Sequence, residues 1–205
     1  MKKLNQPEKG FSLLETLIVI GIMSILASIA IFKSFGTMES YQSNSAMDIV
    51  VSQLRVARQL AISQRRNVQV TFNTSATSPS ISYTVLAGNY AGSTEVNGTA
   101  VKMPLPNQLQ FTSVPGEVDT PMAFGTCGGN FGVCIAGVSG GPAIMGFNSQ
   151  GQFTDSTWVN TLNGTVFIGI PNQGSTARAV TVMGGTGRVR SYSYAGGTGA
   201  YAWTE

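Results

Sequence analysis

The sequence contains no histidine. That removes the commonest general base and the commonest metal ligand together. Its two cysteines, Cys127 and Cys134, are too few for an all-cysteine zinc site, and no histidine can complete one. Charge is also scarce: only 10% of residues are Asp, Glu, Lys or Arg. From Asn67 onward the basic side chains are Lys102, Arg178, Arg188 and Arg190, against five acidic ones. The C-terminal body is therefore no polycation, and any basic function there must come from local clustering. Proline is missing between Phe11 and Pro79, so a helix can run through that stretch unbroken. Serine and threonine abound, but no histidine activates them, and Glu117, Asp119 and Asp155 form no recognisable acid–base pair. Gly184-Gly185-Thr186-Gly187 lacks the lysine and the following helix of a phosphate-binding loop, so it reads as a hairpin turn. No catalytic residue, metal or cofactor is expected, and the chain does not read as an enzyme.

What the sequence does have is an uneven distribution of apolar residues. Hydrophobic residues make up 42% of the chain, which excludes general disorder. They are concentrated in residues 11–32, FSLLETLIVIGIMSILASIAIF, where Glu15 is the one charge. As a helix this stretch spans roughly 33 Å, enough for a bilayer core. Lys2, Lys3 and Lys9 precede it, which places residues 1–10 in the cytoplasm and the body outside. A secretory signal is cut after its apolar run, and no clean small-x-small site follows Phe32. A carboxylate inside a bilayer costs on the order of 3 kcal/mol and is functional by default. Cleavage between Gly10 and Phe11 would leave a free amine one helical turn from Glu15, or from the Glu15 of a neighbouring helix.

Lys9-Gly10-Phe11-Ser12-Leu13-Leu14-Glu15 resembles the leader junction of type IV pilins and type II secretion pseudopilins. The resemblance implies that a prepilin peptidase cuts after Gly10 and methylates Phe11. It also implies that Glu15, the fifth mature residue, serves assembly with other pilin subunits. The chain departs from many major pilins in having no proline late in this helix.

The helix is expected to continue. Met47, Val50, Leu54, Ala57 and Ala61 recur every three or four residues, one helical stripe, while Arg55, Arg58, Arg65 and Arg66 fall largely off it. For Arg65 and Arg66 a favourable interaction with the helix C-terminus is sufficient reason. After Arg66 the period becomes two: Val68, Val70 and Phe72, then Ile81, Tyr83 and Val85, read as half-buried strands. Further strands are expected at 109–113, 143–148, 164–170, 177–183 and 187–194. Asn97-Gly98 and Asn163-Gly164 read as tight turns, and 86–100 and 115–142 as loops. The fold class is α+β: a long N-terminal transmembrane and amphipathic helix on a C-terminal antiparallel β-sheet head, a pilin-like lollipop. Its parts are a cytoplasmic leader (1–10), a transmembrane assembly helix (11–32), an amphipathic continuation (33–66) and a β-rich head (67–205). A head outside the inner membrane meets an oxidising compartment, so Cys127 and Cys134 are expected to pair, the alternative being two buried thiols.

Residues 53–72, 147–153 and 177–192 resemble the GspH/FimT branch of minor pseudopilins and minor pilins. The resemblance implies a structural subunit near the tip of a secretion pseudopilus or a type IV pilus. Its single-pass anchor would lie in the bacterial inner membrane, with the head in the periplasm or the fibre. Some members bind DNA during natural transformation through a C-terminal Gly-Arg-x-Arg element, matched here by Gly187, Arg188, Val189 and Arg190. On that second reading Arg188 and Arg190 point one way from a strand. Arg178 on a neighbouring strand adds a third phosphate contact, and Tyr192 and Tyr194 are free to stack on bases. The alternative is a soluble strand edge whose charge blocks edge-to-edge pairing.

Overall fold

A stretch without proline and rich in Leu, Ile and Ala should form one helix, and it does. In the computed structural model α1 runs unbroken from Leu13 to Gln64, 52 residues. The structure describes residues 12–88, 98–113, 120, 124, 133–135, 144–196 and 202–205, without the side chains of 32–37, 135 and 144. The chain divides into two compact units, Met1–Glu39 and Ser40–Glu205, and α1 contributes to both.

In the first unit, Leu13–Ile31 is long and apolar enough to cross a membrane, with a mean hydropathy of 2.3 and none of it buried. Its hydroxyls are satisfied within the helix. Thr16 Oγ1 donates to the Leu13 carbonyl, Ser24 Oγ to that of Ile20 and Ser28 Oγ to that of Ser24, each at 2.8 Å. In a bilayer, where no water can serve them, such groups must be paired internally.

In the second unit α1 becomes one-sided. Ala46, Val50, Leu54, Ala57 and Ala61 are fully buried, with Met47 half-buried beside them. The helix stops by a Schellman-type closure. Arg65 adopts a left-handed φ of 52°, and the Arg66 amide reaches back to the Ala61 carbonyl at 3.2 Å. The chain then enters β1 (Val68–Asn73), β2 (Ser80–Val85), β3 (Val101–Pro104), β4 (Val133–Ile135), β5 (Ile144–Phe147) and β6 (Phe153–Thr154). β7 (Gly164–Ile168), β8 (Arg178–Val182), β9 (Val189–Tyr194) and β10 (Trp203–Thr204) follow. Two antiparallel sheets result, in the orders β3-β2-β1-β5-β6 and β10-β9-β8-β7-β4.

Alternation explains how the sheets pack. Val68, Val70 and Phe72 of β1 join the helical stripe in one core with Met145, Phe147, Val166, Ile168, Val180, Val182 and Val189. The opposite parity of the second sheet, Phe167, Ala179 and Tyr192, builds a separate cluster with Cys134, Ala177, Ala202 and Trp203. β7 and β8 are thus buried on both faces, which accounts for their near-continuous apolar character.

Several expectations are corrected. Residues 109–113 form no strand: Gln110 makes an isolated bridge with Gly169, and the alternation of Leu109 and Phe111 reflects burial without pairing. The segment 115–142 is not all loop, because Val133–Ile135 pairs with β7. Asn163-Gly164 is no tight turn. Asn163 Oδ1 accepts the Gly184 amide at 2.9 Å, and Gly164 opens β7 where a Cβ would meet the Phe153 ring at 2.5 Å. Asn97 lies outside the described residues. The glycine-rich segment at 184–187 is a hairpin turn joining β8 to β9, with Val182 paired to Val189.

Candidate functional site

The N-terminal site is described only in part. Gly10 and Phe11 lie outside the described residues. Glu15 stands in the first turn of α1, exposed on an otherwise apolar helix. A carboxylate there complements the positive end of the helix dipole.

The second candidate is the C-terminal arginine set, and the structure does not bring its members together. Arg178 is only 6% exposed. Its Nε donates to Asn44 Oδ1 at 2.7 Å, and its Nη1 to the carbonyls of Ala177 at 2.8 Å and Ser175 at 3.1 Å. Burial pulls its pKa below the ordinary arginine value. It pairs across the sheet with Ser193, whereas Arg190 pairs with Thr181. Arg178 is therefore a brace between helix and sheet, unavailable to a phosphate. Tyr192 is likewise buried against Phe167 and Trp203, and Tyr194 packs edge-on to Trp203 at 5.1 Å. The Tyr192 ring is therefore closed to a base, whereas Tyr194 is half-buried and borders a separate depression with Gly174, Ser175, Ala195 and Gly196.

Arg188 and Arg190 do share a face. With Thr181, Met183 and Phe124 they line one small depression. Arg188 is exposed, while Arg190 makes an ion pair with Glu205 at 3.3 Å. The Tyr192 hydroxyl lies against Arg190 and, with the Glu205 carboxylate, raises its pKa above the ordinary value, although the hydroxyl falls short of a full hydrogen bond. Arg55 and Arg58 were not linked to this site by sequence. Together with Arg188 they line a groove of about 420 Å³ between the end of α1 and the 184–188 turn. The signal was there in part: both arginines lie off the buried helical stripe, but their nearness to residue 188 is a tertiary fact.

Cys134 sits on β4, is buried, and is disulfide-bonded. Cys127 lies outside the described residues. Among the described residues no group of three or more His, Cys, Asp or Glu is placed to hold a metal ion.

Residues 5–31 match the model of the prokaryotic N-terminal methylation motif. The N-terminal segment is similar to that motif. The matched segment contains Glu15 and the whole membrane-length part of α1, Leu13–Ile31. Two solved structures show similarity. The minor pseudopilin EpsH from the type 2 secretion system of Vibrio cholerae is 12% identical, with 76% of this chain and 99% of that one covered and a TM-score of 0.45. The type IV minor pilin FimU of Pseudomonas aeruginosa (strain PAO1) is 14% identical, with 82% and 97% covered and a TM-score of 0.47. At this level the likenesses carry no argument about function. No curated protein matches the sequence.

Proposed function

We propose that the chain is a minor pilin or pseudopilin of the GspH/FimT branch, a structural subunit placed near the tip of a type II secretion pseudopilus or type IV pilus. On this reading a prepilin peptidase removes residues 1–10 and methylates Phe11. Leu13–Ile31 holds the subunit in the bacterial inner membrane until assembly, and the second unit lies in the periplasm or the fibre. Glu15 pairs with the amino terminus of an adjacent subunit, and the partners are other pilin-like subunits. The observation that carries the reading is the continuity of the methylation motif over residues 5–31 with an exposed apolar helix whose first turn holds a carboxylate. The scarcity of general bases in the sequence supports a non-enzymatic role. Mass spectrometry of the membrane-extracted protein tests it: a mature chain beginning at methylated Phe11 is expected, and Gly10→Leu is expected to retain the leader. A different mature N-terminus would overturn the reading.

A second reading, duplex-DNA binding, is favoured by the shared face of Arg188 and Arg190. Without Arg178 it rests on two phosphate contacts. Affinity should then fall with log salt at a slope near −2, about −0.9 per phosphate neutralised. A titration at about 50 mM salt, where the electrostatic attraction is strong, decides it: binding abolished by Arg188→Gln with Arg190→Gln supports the reading, and no binding by the wild type removes it.

A further inference from the structure

Three guanidinium-bearing side chains converge on one groove of the second unit, and no carboxylate lies among its described lining residues. Arg55, Arg58 and Arg188 line it with Gln59, Ile62, Gly187 and Val189. Among the described acidic residues of this unit, Asp155 is engaged by Thr157 and Glu205 by Arg190. Asp48 lies two helical turns before Arg55 on α1 and does not line the groove. Like charges brought together without a counter-charge repel one another, so the arrangement favours an anion.

The groove is also built. Arg58 Nε donates to the Gly151 carbonyl at 3.2 Å, which fixes the middle guanidinium between two turns. Both turns use glycine in the left-handed region, Gly151 at φ +78° and Gly187 at φ +62°. A Cβ on Gly187 would collide with the Gly151 carbonyl oxygen and lie 2.8 Å from Arg58 Nε, and one on Gly151 would lie 2.6 Å from Ile62 Cδ1. Only residues without a side chain leave the room that Arg58 occupies.

The lining selects the class of anion. Ile62 is 44% exposed at the groove, and Val189 also borders it. A phosphodiester backbone offers nothing apolar to cover them, and among the described residues no aromatic side chain lines the groove to stack on a base. A peptide offers both: carboxylates for the planar guanidinium forks, an aliphatic side chain for Ile62, and backbone amides for Gln59. We propose that this groove docks a short acidic segment of a partner protein, with carboxylates on Arg55, Arg58 and Arg188 and an apolar side chain over Ile62. The inference concerns the second unit alone and stands whether or not the N-terminus is processed.

The test uses the full-length chain in detergent micelles at low salt, titrated with a fluorescein-labelled peptide of alternating glutamate and leucine. Saturable binding is expected. Arg55 and Arg188 are exposed, so Arg55→Gln with Arg188→Gln should leave the melting temperature unchanged and weaken binding by about tenfold. Ile62→Asp, which places a like charge against the peptide, should do the same and serves as the check if the double variant is less stable. Lys102→Gln, on the exposed strand β3, should bind as the wild type does. The proposal is overturned by any of four results: no saturable binding, wild-type affinity in both the double variant and Ile62→Asp, equal binding of a lysine–leucine peptide, or displacement of the peptide by a short duplex oligonucleotide more readily than by unlabelled peptide.

Discussion

Arg178 keeps its guanidinium out of water by donating to three neutral oxygens, the Asn44 amide and the carbonyls of Ser175 and Ala177. Asn44 and Ser175 are exposed to water and the Ala177 carbonyl still accepts from the Tyr194 amide at 3.1 Å, so what Arg178→Met loses is the three charge-assisted bonds themselves, and it should destabilise the protein by about 1–2 kcal/mol. Denaturant unfolding should show it as a lower midpoint with an unchanged slope. Arg65 points the other way. It closes α1 at φ 52°, a conformation that costs an L side chain roughly 1–2 kcal/mol. Glycine removes that cost but gains unfolded-state freedom worth about 0.5–1 kcal/mol. Arg65→Gly should therefore stabilise by about 0.5–1 kcal/mol, read by the same unfolding measurement. A loss of stability would mean that the Arg65 side chain makes a contribution beyond the helix cap.

At the scale of elements, legibility in the sequence followed one-sided burial. The stripe Val50, Leu54, Ala57 and Ala61 and the alternation Val68, Val70 and Phe72 could be read because one face of each element meets the core and the other meets water. β3 could not be read because all four of its residues are exposed, leaving no period to detect. β6 and β10 are two residues each, shorter than any period. β4 is three residues in a glycine-rich stretch, an edge strand held by β7. The arginine site failed for a different reason: spacing within β9 gave the shared face of Arg188 and Arg190, but the burial of Arg178 depends on Asn44, more than a hundred residues away in sequence. The bonded state of Cys134 on β4 leads to a further expectation. With Cys127 as its partner the bridge closes an eight-residue loop, contributing about 2.5 kcal/mol in the chain-entropy model. Protein exported to an oxidising compartment should resist alkylation until reduced, and the reduced form should melt lower. Two reactive thiols before reduction would exclude the bridge.

At the scale of the whole molecule, anchoring and assembly place opposite demands on Glu15. The carboxylate stands on a helix of mean hydropathy 2.3, where insertion into lipid costs on the order of 3 kcal/mol. Anchoring alone would therefore be better served by an apolar residue. On the assembly reading the carboxylate is retained because, in a packed bundle of such helices, it meets the free amine of an adjacent processed subunit, and both charges then leave lipid as a pair. The two demands separate in Glu15→Ala. The variant should partition into membranes at least as completely as the wild type, measured by carbonate extraction. Mass spectrometry should show normal processing at Gly10, because the cleavage junction is intact. Its recovery in sheared fibres, or its cross-linking to other pilin-like subunits, should fall sharply. Glu15→Gln sharpens the distinction: it keeps a hydrogen-bonding group of nearly the same shape but cannot neutralise an ammonium, so it should fail in assembly nearly as badly as alanine. Wild-type incorporation of the glutamine variant would show that shape or hydrogen bonding, and not charge, is what the helix contributes. Wild-type incorporation of both variants would remove the pairing account and leave the apolar surface of Leu13–Ile31 to drive association through packing alone.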